Sequence, residues 1–288
     1  MKILVTGAEG QLGSEIRELS SKSKYSFEFI DRSELDLTKL ESIIPFLESS
    51  SPDFMINCAA YTAVDKAEDE SEIAQLINAK APEVMASYCK KNSRRLIHIS
   101  TDYVFDGNFN KPIIEEDIPN PQSVYGKTKL DGEKAINQLL DNAYIIRTAW
   151  VYSSFGNNFV KTMLRLGKEK NEINVVSDQV GSPTYARNLA EAILSIIKEI
   201  NTDNDLPGVY HFSNGGVCSW YEFASEIMRQ AGLSCKVNPI STSEFPTKAK
   251  RPAYSVLDKT KIKRHFKLKS KSWSKSLNEC LSELNKEI

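Results

Sequence analysis

A strand-like run at the start of the chain leads directly into three glycines at fixed spacing. Lys2-Ile3-Leu4-Val5-Thr6 is followed by Gly7, Gly10 and Gly13, a G-x-x-G-x-x-G turn that opens a segment of helical period. Gly7 permits a tight turn, Gly10 lets backbone N–H groups approach a pyrophosphate, and Gly13 lets the helix pack closely on the strand. The N-terminus of the helix adds partial positive charge. The turn therefore predicts a dinucleotide-binding fold.

The first half of the chain alternates short β-branched runs with longer segments of helical period. Such alternation is typical of βαβ units, in which helices cover both faces of a parallel sheet. We therefore predict an α/β fold with a Rossmann-type, doubly wound parallel sheet. The predicted strands are 2–6, 26–31, 53–58, 95–100 and 143–148, and the predicted helices are 11–20, 39–49, 70–92 and 123–141. Thr38 is the expected N-cap of the second helix.

The pattern becomes less regular after Trp150. It predicts helices near 157–169, 187–200 and 219–232 and from about 273, with strands near 173–176 and 208–212. We expect a dinucleotide-binding domain over residues 1–170, to which residues 186–212 return. Residues 171–185 and 213–288 are expected to form a smaller C-terminal α/β substrate-binding lobe.

Composition excludes several classes of partner. The 288 residues carry 37 Lys and Arg against 38 Asp and Glu, so no overall field attracts nucleic acid or anionic lipid. No apolar run approaches the roughly 18 residues of a membrane span, and the first strand begins at once, which leaves no room for a signal peptide. We therefore expect a cytoplasmic protein with a small-molecule partner. The five cysteines and three histidines are scattered, which predicts reduced thiols, a buried core imidazole at His98 and no zinc site.

The end of the second predicted strand places an acid and a base where the adenosine ribose of a dinucleotide lies. Asp31 can accept hydrogen bonds from the ribose hydroxyls of NAD, whereas Arg32 can pair with the 2′-phosphate of NADP. Asp36 and Leu37 resemble the acid and apolar pair that flank the adenine ring in such folds. These residues leave the choice between NADH and NADPH open.

A Tyr-x-x-x-Lys spacing follows in the second half of the predicted domain. It places Tyr125 and Lys129 one helical turn apart on the same face. A phenol has a reference pKa of about 10, and a nearby ammonium favours its ionised form. We therefore expect Lys129 to tune Tyr125 and to hydrogen-bond the nicotinamide ribose.

Thr101 lies at the exit of the fourth predicted strand, one loop before Tyr125. Ligands of parallel sheets bind at the carboxyl ends of the strands, so Thr101, Tyr125 and the glycine turn are expected to face one crevice. The Thr101 hydroxyl would hold a substrate oxygen while Tyr125 protonates it. The sequence thus predicts reduction of a carbonyl group.

Several longer runs carry a family resemblance that covers nearly the whole chain. They are Gly7 to Gly13, Leu35 to Thr38, Asn57 to Glu68, Ser100 to Gly107, Tyr125 to Lys129, Arg147 to Tyr152, Asp178 to Thr184, and Arg251-Pro252. On these residues the chain resembles the extended short-chain dehydrogenase/reductases and, within them, the dTDP-4-dehydrorhamnose reductases. The resemblance implies NADPH- or NADH-dependent reduction at C4 of a dTDP-linked 4-keto-6-deoxy sugar, giving dTDP-L-rhamnose for cell-surface polysaccharides.

The resemblance also assigns roles to individual residues. It implies a catalytic set of Thr101, Tyr125 and Lys129, and a substrate site bordered by Thr101, Tyr103, Val104 and Trp150. Cofactor contacts are implied for Gly7, Gly10, Gln11, Leu12, Gly13, Asp31, Arg32, Asp36, Leu37, Ala59, Ala60, Thr62, Tyr125 and Lys129. Some members hold a magnesium ion between subunits, for which Glu15, Glu191 and Glu283 are the candidates, and a homodimer is an expectation at the level of the family.

Two other functions are compatible with the same motifs. A nucleotide-sugar epimerase, or a reductase of another deoxysugar, would keep the fold and change the reaction. An epimerase retains NAD through its whole cycle, whereas a reductase exchanges and consumes its cofactor. A non-catalytic regulatory subunit would also keep the fold, but the intact Thr101, Tyr125 and Lys129 argue against it.

Overall fold

The computed structural model describes residues 1–200 and 205–286. Six parallel strands form one sheet in the order β10-β5-β4-β3-β1-β2. The strands of this sheet are β1 (Lys2–Thr6), β2 (Ser26–Ile30), β3 (Phe54–Asn57), β4 (Arg95–Thr101), β5 (Tyr144–Thr148) and β10 (Gly208–Phe212). The strand order reverses between β1 and β3, which is where ligands bind in doubly wound sheets. The predicted fold class is confirmed.

Helices cover both faces of this sheet. They are α1 (Gln11–Ser20), α2 (Leu40–Ser50), α3 (Val64–Ala67), α4 (Ser71–Gln75), α5 (Ala81–Lys91), α6 (Val124–Leu139) and α8 (Ala186–Ile200). Alternate residues of β1 point to opposite faces, so Ile3 and Val5 join one core with α1 and α8, while Leu4 joins another with α2 and α5. This two-sided burial explains the continuous apolar character of the first strand.

The remaining elements mostly build a smaller lobe. They are β6 (Val151–Tyr152), α7 (Phe159–Glu169), β7 (Glu172–Val176), β8 (Val180–Gly181), β9 (Thr184–Tyr185), β11 (Cys218–Ser219), α9 (Trp220–Gln230), β12 (Lys236–Ile240), α10 (Thr260–Phe266) and α11 (Trp273–Leu284). A separate core joins α7, α9 and α11 and includes Phe223, Ile227 and Leu277. Strand β10 pairs with β5, so the chain re-enters the large sheet after α8.

The segment predicted as one helix over 70–92 has an internal irregularity. Helices α4 and α5 are joined by a π-helical turn, Leu76–Lys80, and α3 precedes them. The turn places Asn78 in the interior, where its amide oxygen accepts from the backbone N–H of Tyr61 at 2.8 Å. Its amide nitrogen donates to the backbone oxygen of Tyr61 and to the Thr128 hydroxyl, both at 3.1 Å. Such turns are frequent at functional sites. Here the turn fixes the loop after β3 against α6.

One further prediction, the N-cap of α2, is wrong, and two elements, α10 and β12, were not predicted, each for a local reason. Thr38 is not the N-cap of α2: its hydroxyl donates to Asp36 Oδ1 at 2.8 Å, and Lys39 occupies the cap position. Helix α10 has only Ile262 and Phe266 as buried residues, a pattern too sparse to predict it. Strand β12 contains Pro239 and pairs with β7 alone, and proline within a run argues against a strand.

The five cysteines all lie in the described part of the chain, and they form no disulfide bond there. Among the described residues, no helix combines the length and the apolar character that crossing a membrane requires.

Candidate active site

The glycine turn at the end of β1 depends on close backbone contacts. Gly7 has a φ of +67°, and a Cβ on it would lie 2.7 Å from the backbone nitrogen of Ala59. A Cβ on Gly13 would collide with the Gly7 carbonyl oxygen. Gly10 differs, because its Cβ would meet only that same oxygen, at 3.1 Å. The fold itself therefore requires glycine at 7 and 13, whereas glycine at 10 keeps the outer side of the turn open for a ligand.

The first turn of α1 supplies donors at this opening. Gly10 is the N-cap of α1 and no side chain among the described residues caps the helix, so its first backbone N–H groups remain for an anion. Leu12 is buried in the core, and its side chain does not face the crevice. The Oε1 atom of Gln11 is buried and has no hydrogen-bond partner within the described residues. An open glycine and an unpartnered buried amide oxygen fit a dinucleotide, as predicted for this turn.

The residues predicted for the adenosine end lie after β2. Asp31 Oδ1 accepts hydrogen bonds from the backbone and hydroxyl of Ser33, at 2.6 and 2.7 Å, and these bonds lower the pKa of its carboxyl group. The Arg32 side chain is 79% exposed and lies 3.8 Å from Asp36 Oδ1. Leu37 is buried in the core. Arg32 is therefore free to turn toward a phosphate, because an exposed ion pair at this distance is weak.

The loop after β3 borders the same turn. The backbone N–H of Ala59 donates to the Thr6 hydroxyl at 3.3 Å, which joins this loop to β1. Ala60 is half-buried and Thr62 is exposed. The three residues predicted for the cofactor thus follow the strand next to β1 at the carboxyl edge of the sheet.

Thr101 and Tyr125 meet where α6 packs against the exit of β4. Ser123 caps α6 by accepting the Gly126 N–H at 3.2 Å, and a Cβ on Gly126 would collide with the carbonyl oxygen of Tyr103. The rings of Tyr103 and Tyr125 contact edge to face with centroids 5.4 Å apart. The Thr101 side chain is close enough to the Tyr125 phenol to act on its pKa. The glycine after Tyr125 is therefore what lets the helix bring the phenol to the threonine.

The pKa of Tyr125 differs from the sequence-based expectation. Burial raises the pKa of its phenol well above the ordinary value, and the nearby Thr101 side chain opposes this rise only in part. Lys129 does not contribute, because its amine points elsewhere: Nζ donates to the Ile99 carbonyl oxygen at 2.6 Å and lies 3.1 Å from His98 Nε2. Tyr125 is consequently a protonated phenol at neutral pH, and the expected tuning by Lys129 is not seen.

Lys129 itself has a perturbed pKa. Burial lowers the pKa of its amine to about 8, and the Glu133 carboxylate opposes that change. Glu133 is held by Arg147, whose Nη2 lies 2.7 Å from its Oε2, and both side chains are buried. The amine therefore stays mostly charged at neutral pH but titrates within reach of it.

Of the residues predicted to border the sugar, Trp150 and Tyr103 are half-buried and Val104 is not accessible. Trp150 has a φ of +51°, and its ring stacks on Trp220 of the small lobe with centroids 3.5 Å apart. The Tyr103 hydroxyl accepts a hydrogen bond from Arg251 at 3.3 Å. Val104 has no exposed surface and packs in a cluster with Phe105 and its neighbours, so its side chain does not line the cleft. The prediction for Val104 is corrected accordingly.

Three residues of the site had no predicted role: Asp102, Trp220 and Arg251. Asp102 is 2% exposed, it accepts a hydrogen bond from the Thr101 hydroxyl at 3.0 Å, and burial raises its pKa to about 6. Its position directly after a strand-end threonine was the available signal. Arg251 forms an ion pair with Asp65 at 2.8 Å, and together with Trp220 it connects the small lobe to the crevice.

The candidate magnesium ligands do not converge within this chain. Glu15 is fully buried, and its carboxylate accepts a hydrogen bond from Ser153 at 2.6 Å and pairs with Arg187 at 3.4 Å. Glu191 accepts from Asn188 at 3.2 Å, and Glu283 pairs with a lysine. No three His, Cys, Asp or Glu side chains of residues 1–200 and 205–286 form a metal-binding group. The three candidate glutamates of one chain therefore do not form a magnesium site by themselves.

Comparison with known proteins places these features in a family context. The family model described as the RmlD substrate binding domain matches residues 1–286. The chain is 40% identical to the dTDP-4-dehydrorhamnose reductase of Escherichia coli over 297 aligned residues, which covers 99% of this chain and 98% of the other.

Two solved structures are similar over almost their whole length. One is a dTDP-4-dehydrorhamnose reductase from Clostridium acetobutylicum, with a TM-score of 0.94, 45% identity and coverage of 99% of this chain and 100% of that one. The other is the dTDP-4-dehydrorhamnose reductase of Bacillus anthracis in complex with NADP, with a TM-score of 0.92, 40% identity and coverage of 98% and 99%.

Proposed function

The chain belongs to the RmlD substrate binding domain family, and from this premise we propose that it reduces dTDP-4-dehydrorhamnose to dTDP-L-rhamnose with NADPH or NADH. One observation carries the proposal: the protonated phenol of Tyr125 is close enough to Thr101 for that residue to act on its pKa, and Thr101 lies at the carboxyl edge of the sheet whose first strand leads into the glycine turn. The protein is thus an NAD(P)-dependent oxidoreductase of nucleotide-sugar biosynthesis, and its product serves polysaccharide synthesis.

Tyr125 is the proposed proton donor to the O4 atom of the sugar. NADPH or NADH, when bound, supplies the hydride that C4 receives. The raised pKa keeps the Tyr125 phenol protonated until negative charge develops on O4, which is when a general acid is needed. Thr101 holds the same oxygen through its hydroxyl and so stabilises that charge.

Lys129 is the proposed cationic residue of the site. Its buried ammonium provides positive charge beneath the reaction centre, and one of its hydrogens is available for the nicotinamide ribose after His98 and Ile99 have taken two. Glu133 and Arg147 form the buried ion pair behind it. Gly7, Gly10, Gln11, the backbone of Leu12, Gly13, Ala59, Ala60 and Thr62 are proposed to hold the dinucleotide, with Asp31, Arg32, Asp36 and Leu37 at its adenosine end.

The small lobe is proposed to hold the dTDP-sugar. Trp150 and Trp220 stack face to face between the large sheet and α9, and Tyr103 is bonded to Arg251 across the cleft. Aromatic faces suit a sugar ring, and a guanidinium suits a phosphate. Residues 171–185 and 213–288 are the proposed substrate-binding lobe, and α7 packs into its core. Residues 1–170 with 186–212 are the proposed dinucleotide-binding domain, and α10 packs into its core.

The decisive experiment follows the absorbance of the reduced nicotinamide with purified protein. We expect NADPH or NADH to be consumed in proportion to added dTDP-4-dehydrorhamnose, with dTDP-L-rhamnose identified by NMR, and slower turnover with UDP-linked and other dTDP-linked 4-keto sugars. Tightly retained NAD, together with epimerised sugar and no net oxidation, would instead establish an epimerase. Inertness toward every sugar nucleotide would favour a regulatory subunit.

Three expectations accompany this proposal and stay predictions. They are the cytoplasmic location, the homodimer and a magnesium ion held between subunits. Sedimentation of the purified protein with and without EDTA checks the last two together, because a shared metal would make the dimer sensitive to the chelator.

A further inference from the structure

His98 is a buried histidine that the proposed reaction does not use. It lies on β4 with no exposed surface. The sheet register places it opposite Asn57 of β3, and Asn57 is opposite Thr6 of β1. Three polar side chains therefore form one row across three neighbouring strands. Buried polar groups are retained only when their hydrogen bonds are satisfied, which makes the partners of this row informative.

The row runs from the glycine-turn strand to the proposed catalytic lysine. The Thr6 hydroxyl lies 2.6 Å from Asn57 Oδ1, and the amide nitrogen of Asn57 lies 3.0 Å from His98 Nδ1. The other ring nitrogen, Nε2, is 3.1 Å from Lys129 Nζ. Both nitrogens of the imidazole therefore have a partner at hydrogen-bond distance: Asn57 for Nδ1 and Lys129 for Nε2.

The chemistry of Lys129 determines which way the last hydrogen bond runs. An ammonium group has three donors and no acceptor, so a nitrogen that faces it must carry no hydrogen. Burial and the charge of Lys129 hold the pKa of His98 far below its ordinary value, so the ring is neutral and has one accepting nitrogen. With Nε2 accepting from Lys129, the hydrogen must reside on Nδ1. A half-turn of the Asn57 amide, which exchanges two atoms of equal size, then presents its oxygen to that hydrogen and its NH2 group to Thr6, so that the Thr6 hydroxyl oxygen accepts a hydrogen bond where it donated one.

We propose that His98 is a positioning residue for the reaction, whose neutral Nδ1–H tautomer accepts a hydrogen bond from the ammonium group of Lys129. The Ile99 carbonyl oxygen takes a second ammonium hydrogen at 2.6 Å, and the third is directed to the reaction centre. The proposal rests on the proposed function for its catalytic part, but the tautomer and the hydrogen bond are properties of the protein alone.

Other charged groups act on Lys129 from the elements around it. Glu133, on the same helix, favours the ammonium form of Lys129. The negative charge of Glu133 is neutralised in part by Arg147 of β5. The Cys58 thiol, after β3, faces the amine and has a pKa raised by burial, so it carries no charge near neutral pH. His98 is a neutral ring at hydrogen-bond distance from the amine.

Two substitutions of equal polarity separate positioning from mere packing. In His98→Gln the terminal amide reaches the place of Nε2 and can still accept from Lys129. In His98→Asn the shorter amide reaches the place of Nδ1, so the bond to Asn57 survives and the bond to Lys129 is lost. Loss of an acceptor destabilises the ammonium form, so the pKa of Lys129 should fall further.

The measurement is the pH dependence of kcat, with KM for both substrates. For His98→Asn we expect the alkaline decline of kcat to move about one pH unit or more toward acid and kcat at neutral pH to fall about twofold or more, with KM nearly unchanged. His98→Gln should stay close to the wild-type profile. Identical profiles for the two variants, in an active wild-type enzyme, would overturn the proposal, whereas an inactive wild type would contradict the proposed function instead.

A second measurement needs no activity and no stable variant. Nitrogen-15 NMR of histidine-labelled wild-type protein reports which ring nitrogen carries hydrogen. We expect His98 to remain neutral with the hydrogen on Nδ1 between about pH 6 and 8, the range in which Lys129 is mostly charged. A hydrogen on Nε2 in that range would mean that His98 donates toward Lys129, and the proposal would be overturned.

Discussion

The hydroxyl group of Thr101 donates a hydrogen bond to Oδ1 of Asp102 at 3.0 Å, so the residue proposed to hold the substrate oxygen is tied to a buried carboxyl group. The second carboxyl oxygen, Oδ2, has no hydrogen-bond partner in the described part of the chain. A hydroxyl has only one hydrogen to give. When Asp102 is ionised it therefore holds the hydrogen of Thr101, and when it is protonated it can release it.

Replacement of Asp102 by Asn should stabilise the protein at neutral pH. Burial raises the pKa of Asp102 from 3.8 to about 6 in the folded protein. The folded state therefore binds this proton more tightly than the unfolded chain, and stability is lost as the pH rises through the folded pKa. The difference of roughly two pKa units corresponds to about 3 kcal/mol. For Asp102→Asn we expect the free energy of unfolding in urea to rise by about 1–3 kcal/mol near pH 7.

The pH dependence of this gain is its control. Below about pH 4 both proteins carry a neutral side chain at position 102 in the folded and unfolded states, so the gain should disappear there. A gain of equal size at all pH values would show that packing, and not the buried charge, was responsible.

Replacement of Tyr125 by Phe should remove most activity and leave cofactor binding intact. The phenol is the proposed proton donor, and general acid catalysis contributes about 10²- to 10⁴-fold to a rate. We expect kcat to fall within that range and the Kd of NADPH, measured by fluorescence titration, to change by less than about twofold. The control is Tyr88→Phe, since Tyr88 is a buried tyrosine whose hydroxyl donates to the Leu47 carbonyl oxygen, away from the crevice. Equal losses in both variants would remove Tyr125 from the mechanism.

The parts of the site that were predictable depend on local backbone geometry. Gly7 and Gly13 are required by contacts within one turn and its neighbours, and the spacing of Tyr125 and Lys129 follows from the helical repeat. The direction of the Lys129 amine was not predictable in this way. It is set by Ile99 and His98, which a different strand brings within reach, so the expected pairing with Tyr125 is replaced by contacts to β4.

In the small lobe, too, the contacts between residues far apart in the sequence could not be predicted from local patterns. Trp150 was expected at the sugar from a run of sequence, but the ring that stacks on it belongs to Trp220, far along the chain. Gly181 makes room for this arrangement, since a Cβ there would lie 2.7 Å from the Trp150 ring. Contacts of this kind depend on how two separate cores pack, and short irregular strands such as β8 carry little pattern of their own.

Replacement of Arg32 by Ala should weaken NADPH binding selectively. The side chain is 79% exposed and only loosely paired with Asp36, so its removal costs the fold little. A lost hydrogen bond to a charged phosphate corresponds to about tenfold or more in affinity. We expect the Kd of NADPH to rise by that factor and the Kd of NADH to stay nearly constant. Arg165→Ala is the matched control, because Arg165 is an exposed arginine with a carboxylate partner on α7. An equal loss of affinity for NADPH and NADH in Arg32→Ala would reject the contact between Arg32 and the 2′-phosphate.

Alanine at Gly10 and at Gly13 should have opposite effects on folding and on cofactor binding. At Gly13 the new methyl group would collide with the Gly7 carbonyl oxygen, which is backbone and cannot rotate away. We therefore expect Gly13→Ala to lower the free energy of unfolding by about 3 kcal/mol or more. At Gly10 the methyl group would meet only the same oxygen at 3.1 Å and would otherwise point outward, at a φ of −75° that alanine adopts readily.

The cost of Gly10→Ala to the fold should therefore be within about 1 kcal/mol, the range found for changes at a helix N-cap. The same methyl group would stand where a pyrophosphate must approach the backbone, so the Kd of NADPH should rise by roughly tenfold or more. Urea unfolding without cofactor and fluorescence titration with it separate the two effects. Unchanged affinity in a folded Gly10→Ala protein would mean that the dinucleotide passes this turn at a distance, and the assignment of Gly10 to the pyrophosphate would have to be given up.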